Sequence, residues 1–171
     1  MSSNKPIMMR NNRIMSEIKY LSSLNDEYND DDEIIEIKKT IKQVHINETD
    51  IYGEHIITMF GPKDTPFENG IFKLCVIMDR NKYPNNPPYV RFITKMYHPN
   101  ISSHGEICID ILKSQWSPVL RIQHIILSIS VLLAEPNPND PLMFEIATEY
   151  TNNRSNYISN VKSYVKKYAI E

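Results

Sequence analysis

Ile71-Phe72-Lys73-Leu74-Cys75-Val76-Ile77-Met78 is the stretch that decides the architecture. Phe72, Leu74, Val76 and Met78 recur at every second position, the period of a strand with one face in a core. Lys73 and Cys75 fall on the opposite face. Cys75 reads there as a packing or surface thiol, and nothing beside it suggests catalysis. Three more strand candidates lie close by, at 40–46, 52–60 and 89–93. Asn47-Glu48-Thr49-Asp50 and Gly61-Pro62-Lys63-Asp64 separate the first three as turn signals. The proline-stiffened run Tyr83-Pro84-Asn85-Asn86-Pro87-Pro88 precedes the last. Strands this close leave no room for helical crossovers, so they form a four-stranded antiparallel meander.

On either side of the meander the apolar period lengthens. Ile14, Ile18 and Leu21, with Met15 beside them, predict an amphipathic helix over 12–24. Residues 1–11 are polar and unpatterned and are expected as a flexible tail. Between helix and first strand, Asn25-Asp26-Glu27-Tyr28-Asn29-Asp30-Asp31-Asp32-Glu33 is too acidic to pack. It is expected as a solvated loop, part of an acidic insert over about 25–39. Downstream, 95–118 is dense in turn residues and predicts a long ordered crossover, a kind of loop that usually carries function. A central helix follows over 121–133, with Ile122, Ile125, Ile126, Ile129, Leu132 and Leu133 as its core stripe. Leu127 and Val131 lie off the centre of that stripe. They are either its buried margin under the C-terminal helices or an exposed patch for a protein partner. Two last helices, over 143–151 and 156–168, carry Ile146, Ile158, Val161, Tyr164 and Val165 as packing residues.

The bulk properties fit one α+β domain over 12–171. At 171 residues the chain is long enough to bury a sizeable core. A net charge of −2 gives no strong field for nucleic acid or an anionic membrane. No apolar run reaches the roughly 18 residues of a bilayer span, and the N-terminus lacks a signal-peptide core. Two cysteines make no disulfide framework, which points to the reducing cytoplasm or nucleus. His98, His104 and Cys108 lack the paired spacing of a zinc site, so no metal is expected. With four glycines and no phosphate-cradling loop, no nucleotide or other cofactor is expected either.

The chemistry concentrates in His98-Pro99-Asn100 and, eight residues beyond Asn100, in Gly105-Glu106-Ile107-Cys108-Ile109-Asp110. Cys108 has acidic neighbours, Glu106 and Asp110, and no Lys or Arg alongside. Nearby negative charge disfavours a thiolate, so its pKa is not expected to be strongly depressed. A cysteine hydrolase needs a low-pKa thiol with a paired base, whereas a thiol receiving an already activated acyl group needs neither. Asn100 is a candidate donor to the oxyanion of a thioester under attack. It is equally a candidate for tying its loop down through hydrogen bonds. Asp110 and Asp140 are candidates to orient an incoming lysine amine and take its proton late. Their alternatives are a loop cap for Asp110 and a helix cap before Pro141 for Asp140.

With Gln115-Trp116-Ser117-Pro118 and Pro136-Asn137-Pro138-Asn139-Asp140-Pro141-Leu142 the pattern resembles the ubiquitin-conjugating enzymes, from about Asn12 to the end of the chain. Within that family it is most similar to the short ligase-promiscuous, ubiquitin-loading branch. The resemblance implies a UBC fold and a thioester of ubiquitin on Cys108, passed to a substrate lysine or to a ligase cysteine. ATP would be used upstream by the activating enzyme. It implies that His98 and Pro99 support the loop. Leu127 and Val131 would face the donor ubiquitin. Arg13, the 83–88 loop with Asn85, and Trp116, Ser117, Pro118 and Val119 would meet the activating enzyme and ligases, RING-type above all.

The chain departs from the family pattern at three points: the acidic insert, Asn85 where an aromatic residue is common, and Asn139 where a second acid often stands. The insert is either passive or an electrostatic bias on partner choice. A monomer is expected. The alternatives are a carrier of another ubiquitin-like modifier and a non-catalytic ubiquitin-binding scaffold. The compact run Leu112-Lys113-Ser114-Gln115-Trp116 speaks against the SUMO-carrying branch, and Cys108 with Asn100 against the scaffold.

Overall fold

A computed structural model describes residues 4–26 and 32–170, the side chains of 4–7, 32, 33 and 36 excepted. The elements are α1 (Asn4–Ser23), α2 (Asp32–Lys38), β1 (Ile41–His45), β2 (Glu54–Phe60), β3 (Ile71–Ile77), β4 (Tyr89–Phe92), a 3-10 turn (Asp110–Leu112), α3 (Ile122–Ala134), α4 (Phe144–Asn152) and α5 (Arg154–Tyr168). The strands form one antiparallel sheet in the order β1-β2-β3-β4, the expected meander. Phe72, Leu74, Val76 and Met78 are all buried, joined by Ile57, Met59, Val90 and Phe92 from neighbouring strands. α1 adds Ile14, Ile18 and Leu21, and α3 adds the six stripe residues predicted for it.

Two expectations are corrected. α1 begins at Asn4, so the tail expected over 1–11 is helical from there. The acidic insert is not a solvated loop throughout. Asp32–Lys38 is helical because Ile34 and Ile37, one turn apart, both drop into the core. Asn25 docks on the edge of the sheet: its amide donates to Val44 O at 2.6 Å and accepts from Val44 N–H at 2.9 Å. Residues 27–31, the middle of the insert, lie outside the described residues. Of the two readings of Leu127 and Val131, the exposed patch holds: they are 38% and 62% exposed, so the C-terminal helices do not cover them.

Cys75 is fully buried although it faces away from the main core, paired across the sheet with Ile56 and Arg91. Of its two readings, packing holds. Burial, with Glu54 close by, pushes its thiol pKa up.

The crossover positions the site. It is not wholly irregular: residues 101–107 fold back on themselves through an Ile101–Ile107 bridge and a Ser102 N–H to Glu106 O bond of 2.9 Å. Gly105 makes the reversal possible. Its φ is +86°, and a Cβ there would sit 2.0 Å from Phe92 O. The fold-back explains the eight-residue spacing of the motif, because it returns Cys108 to Asn100, where Cys108 N–H donates to Asn100 O at 2.9 Å.

Candidate active site

The lower layer of the site is built from His98, Pro99 and Asn100, all buried. Asn100 N–H donates to His98 Nδ1 at 3.0 Å, so Nε2 carries the proton and donates to Leu132 O on α3 at 3.0 Å. Both ring nitrogens are thereby committed. Burial lowers the imidazole pKa to about 4, which keeps the ring neutral. His98 thus ties its loop to α3 through both ring nitrogens. Pro99 O accepts from the N–H groups of Leu142 and Met143, both at 2.9 Å.

Asn100 is 1% exposed and its side-chain amide is fully used. Nδ2 donates to Asn137 O at 2.7 Å and to Asp140 O at 3.0 Å, while Oδ1 accepts from Asn137 N–H at 2.8 Å. An amide with both hydrogens engaged has none to offer an oxyanion. Of the two readings of Asn100, this geometry realises the structural one: it clamps the 137–140 segment beside the cysteine. Asn139 N–H is turned inward to Asn137 Oδ1 at 3.0 Å.

The upper layer surrounds the Cys108 sulfur. Sγ–H donates to Asp140 Oδ2 at 3.1 Å, and Lys113 Nζ donates to Sγ at 2.9 Å. Burial pushes the thiol pKa up; Lys113 opposes that and Asp140 adds to it, leaving the pKa above the ordinary value. The sulfur is therefore a protonated thiol at neutral pH, as its acidic neighbours suggested, but the largest cause is burial. Its contact raises the Lys113 pKa, so the amine stays an ammonium.

Asp110 stands apart from the sulfur. It opens the 3-10 turn, its carbonyl accepts from Lys113 and Gln115 N–H, and its exposed carboxylate acts on Lys113. Of the two candidate acids, the structure brings Asp140 to the sulfur and leaves Asp110 in the turn.

Lys113 escaped the sequence reading, which looked for cations only beside Cys108. The signal was the turn: Asp110–Leu112 reverses the chain and brings a residue five positions on back to the sulfur. Asn137 and Glu17 escaped as well, since nothing local marks either.

Asn85, Pro118 and Val119 are exposed, with Val119 at 78%. Trp116 is half-buried and ties two loops together: its indole Nε1–H donates to Pro84 O at 2.8 Å, and its ring packs 5.9 Å from that of Tyr83. Arg13 is not a free contact residue. It pairs with Glu17 at 2.9 Å and donates to Leu120 O at 2.6 Å. Among the described residues no group of three or more His, Cys, Asp or Glu could hold a metal ion, and no helix is long and apolar enough to cross a membrane.

A family described as "Ubiquitin-conjugating enzyme" matches residues 23–165. The ubiquitin-conjugating enzyme E2 N of Drosophila melanogaster is 49% identical over 117 residues, 68% of this chain and 76% of that protein. The ubiquitin-conjugating enzyme E2 2 of Mycosarcoma maydis is 48% identical over 108 residues, 63% of this chain and 58% of that protein. Among solved structures, the E2 domain of a Toxoplasma gondii ubiquitin conjugating enzyme aligns with a TM-score of 0.77 at 34% identity, covering 94% of this chain and 99% of the other.

Proposed function

Because the chain belongs to the ubiquitin-conjugating enzyme family, we propose that Cys108 is the thiol on which it carries ubiquitin. Family membership brings ubiquitin, an activating enzyme and ligases as partners in general terms. The observation that supports Cys108 is its placement, with a carboxylate and an ammonium both within hydrogen-bond distance of Sγ on a loop clamped from below.

In loading, the Cys108 sulfur attacks the carbonyl carbon of ubiquitin held as a thioester on the activating enzyme; the new C–S bond forms, the old C–S bond breaks, and the activating enzyme's thiol leaves with the proton given up by Cys108. In discharge, a neutral amine attacks the thioester carbon, the C–S bond breaks and the sulfur leaves as a thiolate. Lys113 lies where its ammonium stabilises that leaving sulfur. Asp140 lies where it holds the incoming lysine and takes its proton once the C–N bond has formed. A substrate lysine starts near a pKa of about 10.4, and a carboxylate opposes its deprotonation. Desolvation under the bound ubiquitin must supply the shift to the neutral amine. Leu127 and Val131, exposed on α3, are the surface we assign to that donor ubiquitin.

Loading by the matching activating enzymes, run with ubiquitin and SUMO in parallel on a non-reducing gel, tests the cargo. A thiol-sensitive adduct with ubiquitin alone is expected. An adduct with SUMO instead would move the enzyme to another modifier, and none with either would leave a ubiquitin-binding scaffold.

The finer partner reading is that α1, the 83–88 loop and the 117–119 segment form the face for activating enzyme and ligases, in the manner of the ligase-promiscuous branch. Asn85, exposed at the loop tip, offers no aromatic anchor. A missing hot-spot anchor costs about 2 kcal/mol or more. RING-type ligases are therefore favoured over the class that forms its own thioester. Equal discharge through both, assayed side by side, would refute that preference. The two buried free thiols suit a reducing compartment, cytoplasm or nucleus.

A further inference from the structure

Glu17 is a fully buried carboxylate that the transfer chemistry does not use. It sits on α1 between two guanidinium groups, with Oε1 2.9 Å from Arg13 Nε and 3.4 Å from Arg121 Nε. Its other oxygen accepts the first N–H of α3, from Ile122, at 3.4 Å. Each arginine then reaches across to the opposite element. Arg13 Nη2 donates to Leu120 O at 2.6 Å, and Arg121 Nη2 donates to Ser16 Oγ at 3.0 Å. Arg13 also lies over the Tyr83 ring, 5.9 Å from its centre, and Trp116 donates its indole N–H to Pro84 O in the same loop. One carboxylate thus joins α1, the 83–88 loop and the segment that carries Pro118 and Val119.

We propose that Glu17 is the positioning residue that holds the face by which this enzyme meets its activating enzyme and RING-type ligases. The proposal rests on the partner reading given above. Two cations share a single buried counter-charge. Without it they repel each other and leave the N-terminus of α3 with an unpaired donor, so α1 and the 117–122 segment separate. Val119 is two residues from Arg121, so that separation moves the exposed tip. The active site is held by a different set of bonds, from His98 to Leu132 and from Asn100 to Asn137 and Asp140. Loss of Glu17 therefore affects encounter with partners and spares the transfer step.

The test uses the full chain with Glu17→Gln, which keeps the shape, and Arg121→Gln, which leaves the carboxylate paired to Arg13. Val119→Glu, an exposed change, checks the partner face itself. For Glu17→Gln, KM in loading by the activating enzyme is expected to rise about tenfold with kcat unchanged. RING-stimulated discharge should fall at limiting ligase and recover at saturating ligase. Discharge of the preformed thioester to free lysine, without ligase, should stay within about twofold of wild type. Arg121→Gln should show the same pattern, more weakly. A ligase-free rate that falls in step with loading would make Glu17 a general stability residue and overturn the proposal. Unchanged loading in Glu17→Gln with impaired loading in Val119→Glu would overturn it while keeping the partner face. Unchanged loading and RING-stimulated discharge in both would remove the partner face and the proposal with it.

Discussion

The two layers of the site use polar groups in opposite ways. Below, His98 and Asn100 are buried and their side-chain hydrogen-bonding groups are committed to backbone. Above, Lys113 and Asp140 are exposed and share one sulfur. The lower layer has a single arrangement and gains stability from it. The upper layer bonds to the thiol proposed to be acylated and released, and such a role requires exchangeable contacts. The residues that look most catalytic in the sequence are thus the fixed ones, and the reacting atom is served by residues with little structural duty.

Asn100→Ala gives the largest effect. It leaves Asn137 O, Asp140 O and Asn137 N–H without their partner, at about 1–3 kcal/mol per orphaned group. Urea unfolding should show a loss of several kcal/mol, with lysine discharge falling alongside it. Undiminished stability with discharge down about 10²–10³ would show that the amide acts on the oxyanion and not as a clamp.

His98 comes next. Its folded pKa of about 4 lies below the about 6.5 of an unfolded chain, so the unfolded state takes up the extra proton between those values. Stability contributed by the neutral ring is complete above about pH 6.5 and is lost as pH falls toward 4, by on the order of 3 kcal/mol. His55, also lowered by burial, works in the same direction. Unfolding curves across that range should be steeper for wild type than for His98→Asn, which keeps the acceptor or donor capacity but not the titration. Equal slopes would remove His98 from the acid sensitivity.

The upper layer should barely register in stability. Lys113→Met and Asp140→Asn are expected within about 0.5 kcal/mol of wild type. Their effects appear in the pH dependence of Cys108 alkylation. Wild type should still be climbing past about pH 8.5, where an ordinary thiol half-titrates. Losing the Lys113 ammonium should move the curve to higher pH, and losing the Asp140 charge to lower pH. Shifts of the same sign in both would contradict the opposed roles assigned to them.

Much of the architecture was legible because alternation and helical period are local. The β3 pattern, the α3 stripe and the meander all follow from neighbours within a few residues. What the sequence does not show are contacts made at a distance, and acidity that does not mean solvent. Asp32–Lys38 is acidic at its start, yet two isoleucines a turn apart carry it into the core. Glu17 is buried because two arginines, one of them over a hundred residues away, meet it there. Lys113 reaches the sulfur only through a turn whose hydrogen bonds do not appear in a residue-by-residue reading. The motif around Cys108 names candidate residues but does not divide their labour, because what separates Asn100 from Asp140 is burial.

The most direct measurement is to load the protein with ubiquitin, activating enzyme and ATP, digest it without reductant, and locate the adduct by mass spectrometry. The predicted result is a single thiol-labile adduct on Cys108, absent from Cys108→Ala, with Cys75 unmodified under its burial. An adduct on Cys75, or one that persists in Cys108→Ala, would contradict the assignment of the chemistry to the exposed layer around Cys108.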